Sequence, residues 1–253
     1  MEPTFASLTF FFPMWNEEEM ILRTIGAAHE TAGDLIAAGD IGDYEILVVD
    51  DASTDATGKI ADDIAAQDPR VRVVHHAENR KLGGSVRTGL DEAKCDLILY
   101  TDADMPFDLA DLGKALRLMR VYDADIVSAY RFDRTGEGAR RALYSHLYNW
   151  LVKTLLQLRI RDVNFAFKVI KRDVLDHIEL VSEGSFIDVE LLAKAQRRGF
   201  HIIQFGVDYF PRARGTSTLS SPAVIGKIVR ELVALVPSLR RIEPLPEHTL
   251  RLR

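Results

Sequence analysis

The chain has 253 residues, of which 47% are hydrophobic and 28% charged, and a net charge of −6. This length suits one large α/β domain over residues 1–253, and the composition excludes a disordered or fibrous chain. A single cysteine excludes a disulfide framework and a cysteine-based metal site. The sequence has no run of about 18 apolar residues and no signal-peptide pattern, so we expect a cytoplasmic protein.

Short apolar runs alternate with longer stretches of helical period through the first 130 residues. This alternation predicts βαβ units and a mostly parallel sheet. We predict strands at Leu8–Phe12, Tyr44–Val49, Val71–His75, Leu97–Thr101 and Ile126–Ala129, and helices at Glu17–Ala38, Asp55–Gln67, Gly83–Ala93 and Leu109–Tyr122.

The regular alternation ends near residue 130, and the second half of the chain is less regular. Its pattern predicts helices Leu143–Leu158, Asp188–Arg198 and Ala223–Val236, with strands Asn164–Ile170 and Ile202–Phe205 between them. The tail after Pro237 is expected to fray.

Charge is distributed unevenly, because residues 131–161 and 212–253 each carry five more Lys and Arg than Asp and Glu. These basic segments overlap the amphipathic helices Leu143–Leu158 and Ala223–Val236. Two interpretations stand for each helix: it covers the sheet, or it lies in a lipid headgroup region as a peripheral membrane contact. The basic segments themselves suggest a surface facing phosphate or anionic lipid, with solvated helix faces as the alternative. We expect no nucleic-acid partner.

Acidic side chains follow three of the predicted strands. Ligands of open parallel sheets bind beyond the carboxyl ends of the strands, so these residues should share one edge. Like charges this close repel unless a cation or hydrogen-bond donors balance them. The carboxylates are those of Glu17, Asp50, Asp51, Asp102 and Asp104.

The Asp102-Ala103-Asp104 segment is the best candidate for a metal site. Mg²⁺ and Mn²⁺ take oxygen ligands and often bridge a few carboxylates to substrate phosphates. Asp-x-Asp alone is also compatible with a solvated turn, but Asp50 and Asp51 at the end of another strand favour the metal site. We predict that Asp102 and Asp104 bind Mg²⁺ or Mn²⁺.

Together these segments resemble the nucleotide-binding half of the family 2 glycosyltransferases. The resemblance rests on Pro13–Glu17, Val48–Asp55, Asn79–Gly83 and Asp102–Asp104. Three later segments resemble the branch that includes dolichyl- and polyprenyl-phosphate mannosyl- and glucosyltransferases: Arg140–Asn149, Asp162–Lys168 and Gly215–Ser217. The resemblance spans about residues 8–220. It implies a GT-A-type, Rossmann-like sheet with a nucleotide-sugar half near 1–130 and an acceptor half near 131–236.

The resemblance also implies roles for the donor-binding residues. The turn that begins at Pro13 would pack against the base of a UDP- or GDP-hexose, with Trp15 stacking and Glu17 hydrogen-bonding. Asp51 would lie near the base and ribose, and Asp50 is also predicted to belong to the donor site.

Asp102, Ala103 and Asp104 would meet the ribose, the diphosphate and the metal, with Asp104 catalytic. Lys81 would face the diphosphate, because the turn from Lys81 to Gly83 opens a helix whose free N–H groups favour anions.

Transfer in this family inverts the anomeric carbon, so one in-line attack is implied. A phosphate acceptor is already an anion and needs only positioning, whereas a hydroxyl acceptor needs a general base. Arg131 would act at the reacting groups, and Asp188 would be the base, with a helix N-cap or an acid of the first helical turn as its alternative role. The proposed acceptor-binding residues are Arg131, Arg140, Arg141, Arg212, Arg214 and Ser217.

The sequence departs from the branch at Pro106, where polyprenyl-phosphate enzymes often have glutamine. It also lacks the transmembrane helices of many relatives. Transfer to a hydroxyl of a soluble or glycan acceptor therefore stays open as the alternative function, followed by nucleotide-sugar binding without turnover. A nucleotidyltransferase is disfavoured, because the first strand is not followed by a Gly-rich basic loop.

Overall fold

The computed structural model of the protein describes residues 3–132, 152–210 and 234–246. The strands are β1 (Phe5–Met14), β2 (Ile41–Asp50), β3 (Val71–His75), β4 (Leu97–Thr101), β5 (Ile126–Arg131), β6 (Phe167–Lys171) and β7 (Ile202–Val207). The helices are α1 (Ile21–Ala38), α2 (Thr57–Ala65), α3 (Lys81–Glu92), α4 (Asp111–Val121), α5 (Arg172–Leu175) and α6 (Ile187–Arg198). Residues 152–156 and 234–240 are also helical.

The strands form one seven-stranded sheet in the order β3-β2-β1-β4-β6-β5-β7. Only β6 is antiparallel to its neighbours, β4 and β5, so the predicted mostly parallel α/β sheet is confirmed. Helices cover both faces: α1 and α4 pack in one apolar core, and α3 and α6 in the other. Coverage on both faces explains why the strands read as unbroken apolar runs.

The predicted elements of the first 130 residues are all present; β3 and β4 have the predicted bounds, and the other elements have shifted ends. Helix α1 begins at Ile21 instead of Glu17, because Glu17 lies in a hydrogen-bonded loop. The strand predicted from Asn164 begins only at Phe167. The preceding residues form a turn, in which the Phe165 N–H donates to the Asp162 carbonyl at 2.9 Å.

The expectation that the tail frays after Pro237 is wrong for its first residues. The helix over 234–240 continues past Pro237, and Leu239 is buried in the second core. The Arg240 guanidinium donates to the Leu155 carbonyl at 2.8 Å, and the Leu245 N–H donates to the Arg198 carbonyl at 2.9 Å. These contacts hold the segment against the domain.

The described parts of the two amphipathic segments pack against the protein. Val152 and Leu156, in the segment 152–156, are buried in the second core. This agrees with a helix that covers the sheet; residues 143–151 and 223–233 lie outside the described residues. Within the part that is described, no helix has the length and apolar character needed to cross a membrane.

A crevice opens between β1 and β4 at the carboxyl edge of the sheet. The β1–β4 pairing ends at Phe11 and Tyr100, whereas β1 stays paired with β2 as far as Met14 and Asp50. Pro13 has no N–H to donate, and it is tolerated in β1 because β4 has already diverged there. After β1 the chain continues to β2 and β3 on one side of β1, and after β3 it returns to β4 on the other side. The crevice between β1 and β4 is therefore the topological switch point, where ligands of such sheets bind.

Replacing Gly89 by alanine tests the close packing of α3 on the sheet. A Cβ at this position would overlap the ring of Phe11, which lies in the centre of the sheet. We expect Gly89→Ala to lower the free energy of unfolding by about 1–3 kcal/mol through overpacking. Gly26→Ala in α1 is the matched control: a Cβ there meets nothing within 4 Å, so it should raise stability by about 0.4–1 kcal/mol. Urea unfolding of both variants measures the difference, and equal effects would contradict the packing argument.

Candidate active site

The loops that follow β1 and β2 are joined by side-chain-to-backbone hydrogen bonds. The Asn16 N–H donates to Ser53 Oγ at 3.0 Å, and Asn16 Oδ1 accepts the Thr54 N–H at 2.8 Å. The Glu17 N–H donates to Thr57 Oγ1 at 2.8 Å. These bonds fix the Pro13–Glu17 turn against the start of α2.

Trp15 lies in this turn with its side chain in solvent. It is 56% exposed, although Met14 before it is buried and Asn16 after it is tied to the neighbouring loop. An indole held on a fixed backbone and left exposed beside the crevice can offer a flat surface to a ring. Pro13 and Glu17 are both half-buried.

Asp50 and Asp51 are buried at the end of β2, and two histidines from the end of β3 balance them. His75 Nδ1 lies 2.9 Å from Asp50 Oδ2, and His76 Nδ1 lies 2.6 Å from Asp51 Oδ1. Backbone N–H groups complete the set: Ser53 donates to Asp50, and Arg80 donates to Asp51 at 2.8 Å. Hydrogen-bond donors of the protein therefore contact both of these carboxylates.

The sequence patterns did not predict a role for these histidines, although the histidines lie at the carboxyl end of a strand, as the acids do. His75 ends β3 and His76 follows it, and β3 is the parallel neighbour of β2. Their positions therefore put both imidazoles at the same edge as Asp50 and Asp51. Hydrogen bonds to Asp62 and then to Asp50 raise the pKa of His75 above its ordinary value.

Asp102 and Asp104 follow β4 on the other side of the crevice. Ala103 between them is buried in the first core, and its carbonyl accepts a hydrogen bond from Thr24 Oγ1 at 2.6 Å. Asp102 and Asp104 are half-buried, and the carboxylate oxygens of Asp104 are shielded from solvent. The turn then reverses at Met105, whose φ is 37°.

This pair of carboxylates fits a divalent cation that is shared with a substrate. In the described ranges, no cluster of three or more His, Cys, Asp or Glu side chains is arranged to hold an ion. Mg²⁺ nevertheless is commonly held by one or two carboxylates, with substrate phosphates and water as its remaining ligands. Asp102 and Asp104 carry oxygen donors of this kind at the carboxyl edge of the sheet.

Helix α3 begins at Lys81, which is exposed and lies in the left-handed region at φ 61°. Gly83 is buried, and its N–H donates to the Glu183 carbonyl at 3.0 Å. The N–H of Gly83 is therefore not one of the free N–H groups that were expected at the start of this helix. The glycine instead permits close approach, because a Cβ there would overlap the Ser182 carbonyl and the Glu183 backbone.

Arg131 ends β5 and makes a bidentate ion pair with Asp162. Its Nε lies 2.7 Å from Asp162 Oδ2, and its Nη2 lies 2.8 Å from Asp162 Oδ1. The guanidinium also lies over the ring of Tyr209, 5.1 Å from the centroid. These contacts fix the plane of the guanidinium group.

Asp188 lies in the first turn of α6 and is buried in an ion pair. Its Oδ1 accepts a hydrogen bond from Lys168 Nζ at 2.6 Å, and the same ammonium group donates to the Phe165 carbonyl at 2.9 Å. Burial raises the pKa of Asp188, and Lys168 opposes this effect. A carboxylate that is 2% exposed and bonded to an ammonium group is poorly placed to reach an acceptor. The remaining predicted residues lie outside the described residues: Arg140, Arg141, Arg212, Arg214 and Ser217.

Solved structures show which fold class this sheet and crevice define. The chain superposes with a TM-score of 0.64 on glucosyl-3-phosphoglycerate synthase from Mycobacterium tuberculosis in complex with Mn²⁺ and UDP-glucose, at 19% identity over 92% of this chain and 79% of that one. It superposes with a TM-score of 0.59 on the mannosyltransferase PcManGT from Pyrobaculum calidifontis in complex with GDP-Man and Mn²⁺, at 21% identity over 85% of this chain and 59% of that one. The fold is the GT-A fold of glycosyltransferases.

Sequence similarity then gives the family. The profile of "Glycosyl transferase family 2" matches residues 9–179, and the chain belongs to this family. It is 32% identical to the glycosyltransferase AglD of Haloferax volcanii over 82% of this chain, but it spans about a third (34%) of AglD's length. It is 28% identical to the polyprenol monophosphomannose synthase of Mycolicibacterium smegmatis, over 87% of this chain and 83% of that protein.

The bridging position of His75 predicts a pH-dependent contribution to stability. The pKa of His75 is raised in the folded state, so His75 contributes fully to the free energy of unfolding below the pKa of the unfolded state, about 6.5. This contribution is lost as pH rises through the pKa of the folded state. We expect His75→Gln to lower the free energy of unfolding more at pH 5.5 than at pH 9. Urea unfolding at both values measures this. Asp62→Asn, which removes the more exposed partner, should reduce the same pH dependence, and a pH-independent effect of His75→Gln would contradict the assignment.

Proposed function

We propose that the protein is an inverting, metal-dependent hexosyltransferase that moves a sugar from UDP- or GDP-hexose to a polyprenyl or dolichyl phosphate. The observation that carries this proposal is the crevice between β1 and β4. The buried Asp50 and Asp51 at the end of β2, and Asp102 and Asp104 after β4, lie on either side of β1 at the carboxyl edge of the sheet, in a chain of glycosyl transferase family 2.

The donor would lie in this crevice. Trp15 would stack on the base, and Glu17 would hydrogen-bond to it, since both lie in a turn fixed against the β2 loop. Asp51 would accept from the base or ribose through the oxygen that His76 and the Arg80 N–H leave unused. Asp50 would act by holding the loop after β2 in place, because its carboxylate is hydrogen-bonded to the Ser53 N–H and to His75.

The diphosphate would lie between Asp102, Asp104 and Lys81. Bound Mn²⁺ or Mg²⁺ would neutralise charge that develops on the leaving diphosphate. Solved structures of the same fold contain Mn²⁺ with GDP-Man or UDP-glucose, which supports this ligand class. Lys81 would add a second positive charge from the start of α3. The fixed Ala103 carbonyl would keep the two carboxylates in place.

A phosphate acceptor suits the groups at the other end of the crevice. Asp188, the only general base that we nominated, is buried and paired with Lys168, and a phosphate nucleophile needs no base. Arg131 would meet the acceptor with a guanidinium held by Asp162. Arg140, Arg141, Arg212, Arg214 and Ser217 would complete the acceptor site. The name of the mycobacterial relative, a polyprenol monophosphomannose synthase, supports this acceptor class.

The acceptor end would also contact the cytoplasmic membrane face in a peripheral manner. Phe132 and Phe210 are 64% and 62% exposed. Phe132 is the second residue of the basic segment 131–161, and Phe210 lies two residues before the basic segment 212–253. Exposed aromatic rings beside basic residues are typical of surfaces that bind anionic lipid.

Removing one carboxylate of the pair tests the metal and donor site. We expect Asp104→Ala to weaken Mn²⁺-dependent binding of UDP or GDP about a hundredfold or more, since even residues behind metal ligands often cost 10–100-fold. The fold should survive, because repulsion between acids is relieved. Isothermal titration calorimetry measures the affinity. Asp63→Ala, an exposed acid on α2, is the control for charge, and unchanged affinity in Asp104→Ala would refute the site.

A transfer assay tests the acceptor. We expect labelled hexose to move to a short-chain polyprenyl phosphate, and Arg140→Ala/Arg141→Ala to slow this transfer about tenfold or more through lost charged hydrogen bonds, with donor affinity intact. Lys59→Ala/Lys94→Ala removes two exposed charges elsewhere and should have no effect. Co-sedimentation with anionic liposomes should weaken as salt rises. Wild-type protein that hydrolyses donor but never labels the lipid would favour a hydroxyl acceptor.

A further inference from the structure

Glu190 on α6 is a fully buried carboxylate that the proposed reaction does not use. Its side chain has no solvent exposure. It accepts hydrogen bonds from the Val181 N–H at 3.0 Å and the Ser182 N–H at 2.8 Å. Lys194 Nζ, one helical turn later, lies 2.7 Å from the same carboxylate. Charge-assisted bonds of this kind are about twice as strong as neutral ones, so Glu190 is a firm anchor for residues 181–183.

The anchored residues 181–183 rest directly on the first turn of α3. The Glu183 carbonyl accepts the Gly83 N–H at 3.0 Å, and Gly83 has no space for a Cβ between the Ser182 carbonyl and the Glu183 backbone. This backbone-to-backbone contact joins parts of the chain that are 100 residues apart. Its geometry depends on where Glu190 holds Val181 and Ser182.

The other side of the same turn is held by a donor-site acid. Asp51 Oδ1 accepts the Arg80 N–H at 2.8 Å, and the Asp51 carbonyl accepts Asn79 Nδ2 at 3.1 Å. Lys81 then follows with a left-handed backbone, and its N–H donates to Asn79 Oδ1 at 3.2 Å. The start of α3 is therefore clamped between Asp51 and residues 181–183.

We propose that Glu190 is a positioning residue for donor binding, which acts through residues 181–183 to set the place of Lys81 and the start of α3 beside the crevice. The inference rests on the proposed function, because it assigns Lys81 to the donor diphosphate. Two acids of α6 would then have different roles. Lys168 holds Asp188 against β6, whereas Glu190 holds residues 181–183 on the donor side.

Glu190→Gln tests the proposal, since it keeps the size and one acceptor oxygen and removes the charge. We expect the affinity for UDP or GDP with Mn²⁺ to fall about tenfold, because hydrogen bonds to charged groups are each worth about that factor or more. The KM for the donor should rise in parallel, and the KM for the lipid-phosphate acceptor should stay within about twofold. Amide hydrogen exchange at Gly83, measured without ligand, should become faster. Glu183→Gln is the matched control, because it retains the carbonyl that Gly83 uses and should change none of these values.

Gly83→Ala disrupts the contact between α3 and residues 182–183 from the α3 side. It provides a second test if the Glu190→Gln protein does not fold. Its Cβ must displace residues 182–183, so it should also weaken donor binding with little change in the acceptor KM. The double variant Glu190→Gln/Gly83→Ala should lose less donor affinity than the product of the fold-losses of the two single variants, since both substitutions act through one contact. Donor affinity within twofold of the wild type in a folded Glu190→Gln protein would overturn the inference, as would a parallel rise of donor and acceptor KM. Failure of the proposed function would appear in the wild type itself, which would bind neither nucleotide.

Discussion

The divergence of β1 from β4 creates the space on which the site depends. The two strands are hydrogen-bonded as far as Phe11 and Tyr100, and beyond that point β1 continues beside β2 alone. The loops after β1 and β2 close one wall of this space, and the loop after β4 forms the other. Below the opening, the phenylalanine-rich strand β1 is fixed because its side chains pack into both cores. A crevice with rigid walls can hold polar groups at fixed separations, which electrostatic catalysis requires.

Backbone strain is concentrated at this edge. Four residues other than glycine have positive φ in the loops around the crevice: Asn16, Ala52, Lys81 and Met105, at 55°, 57°, 61° and 37°. Such conformations cost free energy and persist only where surrounding contacts enforce them. The hydrogen bonds of Asn16 to the β2 loop and of the Lys81 N–H to Asn79 are contacts of this type. The edge is therefore preorganised before any ligand binds.

Local patterns predicted the elements of the first 130 residues and the edge at which the acids meet, because both depend on neighbouring residues and on strand polarity. The partners of the predicted residues could not be read in this way. His76 beside Asp51, Lys168 beside Asp188 and Asp162 beside Arg131 are pairs between segments that are distant in sequence. The same limitation applies to Gly83, whose glycine-rich turn suggested a phosphate-binding N–H but which is required for backbone packing. The buried contacts of Leu239 and Leu245 were missed because the segment around them is rich in proline and arginine.

The position of β6 bears on how such proteins can change during evolution. This strand comes from the second half of the chain, yet it lies between β4 and β5 and is hydrogen-bonded to both. A fragment ending after β5 would leave β4 with an open edge and β5 without its link to the sheet. The proposed nucleotide-binding and acceptor-binding halves are thus interleaved in one sheet, and they cannot be exchanged between relatives as separate modules. New acceptor preferences would have to arise by substitution in the loops around β6, while the strand itself stays constrained by its two neighbours.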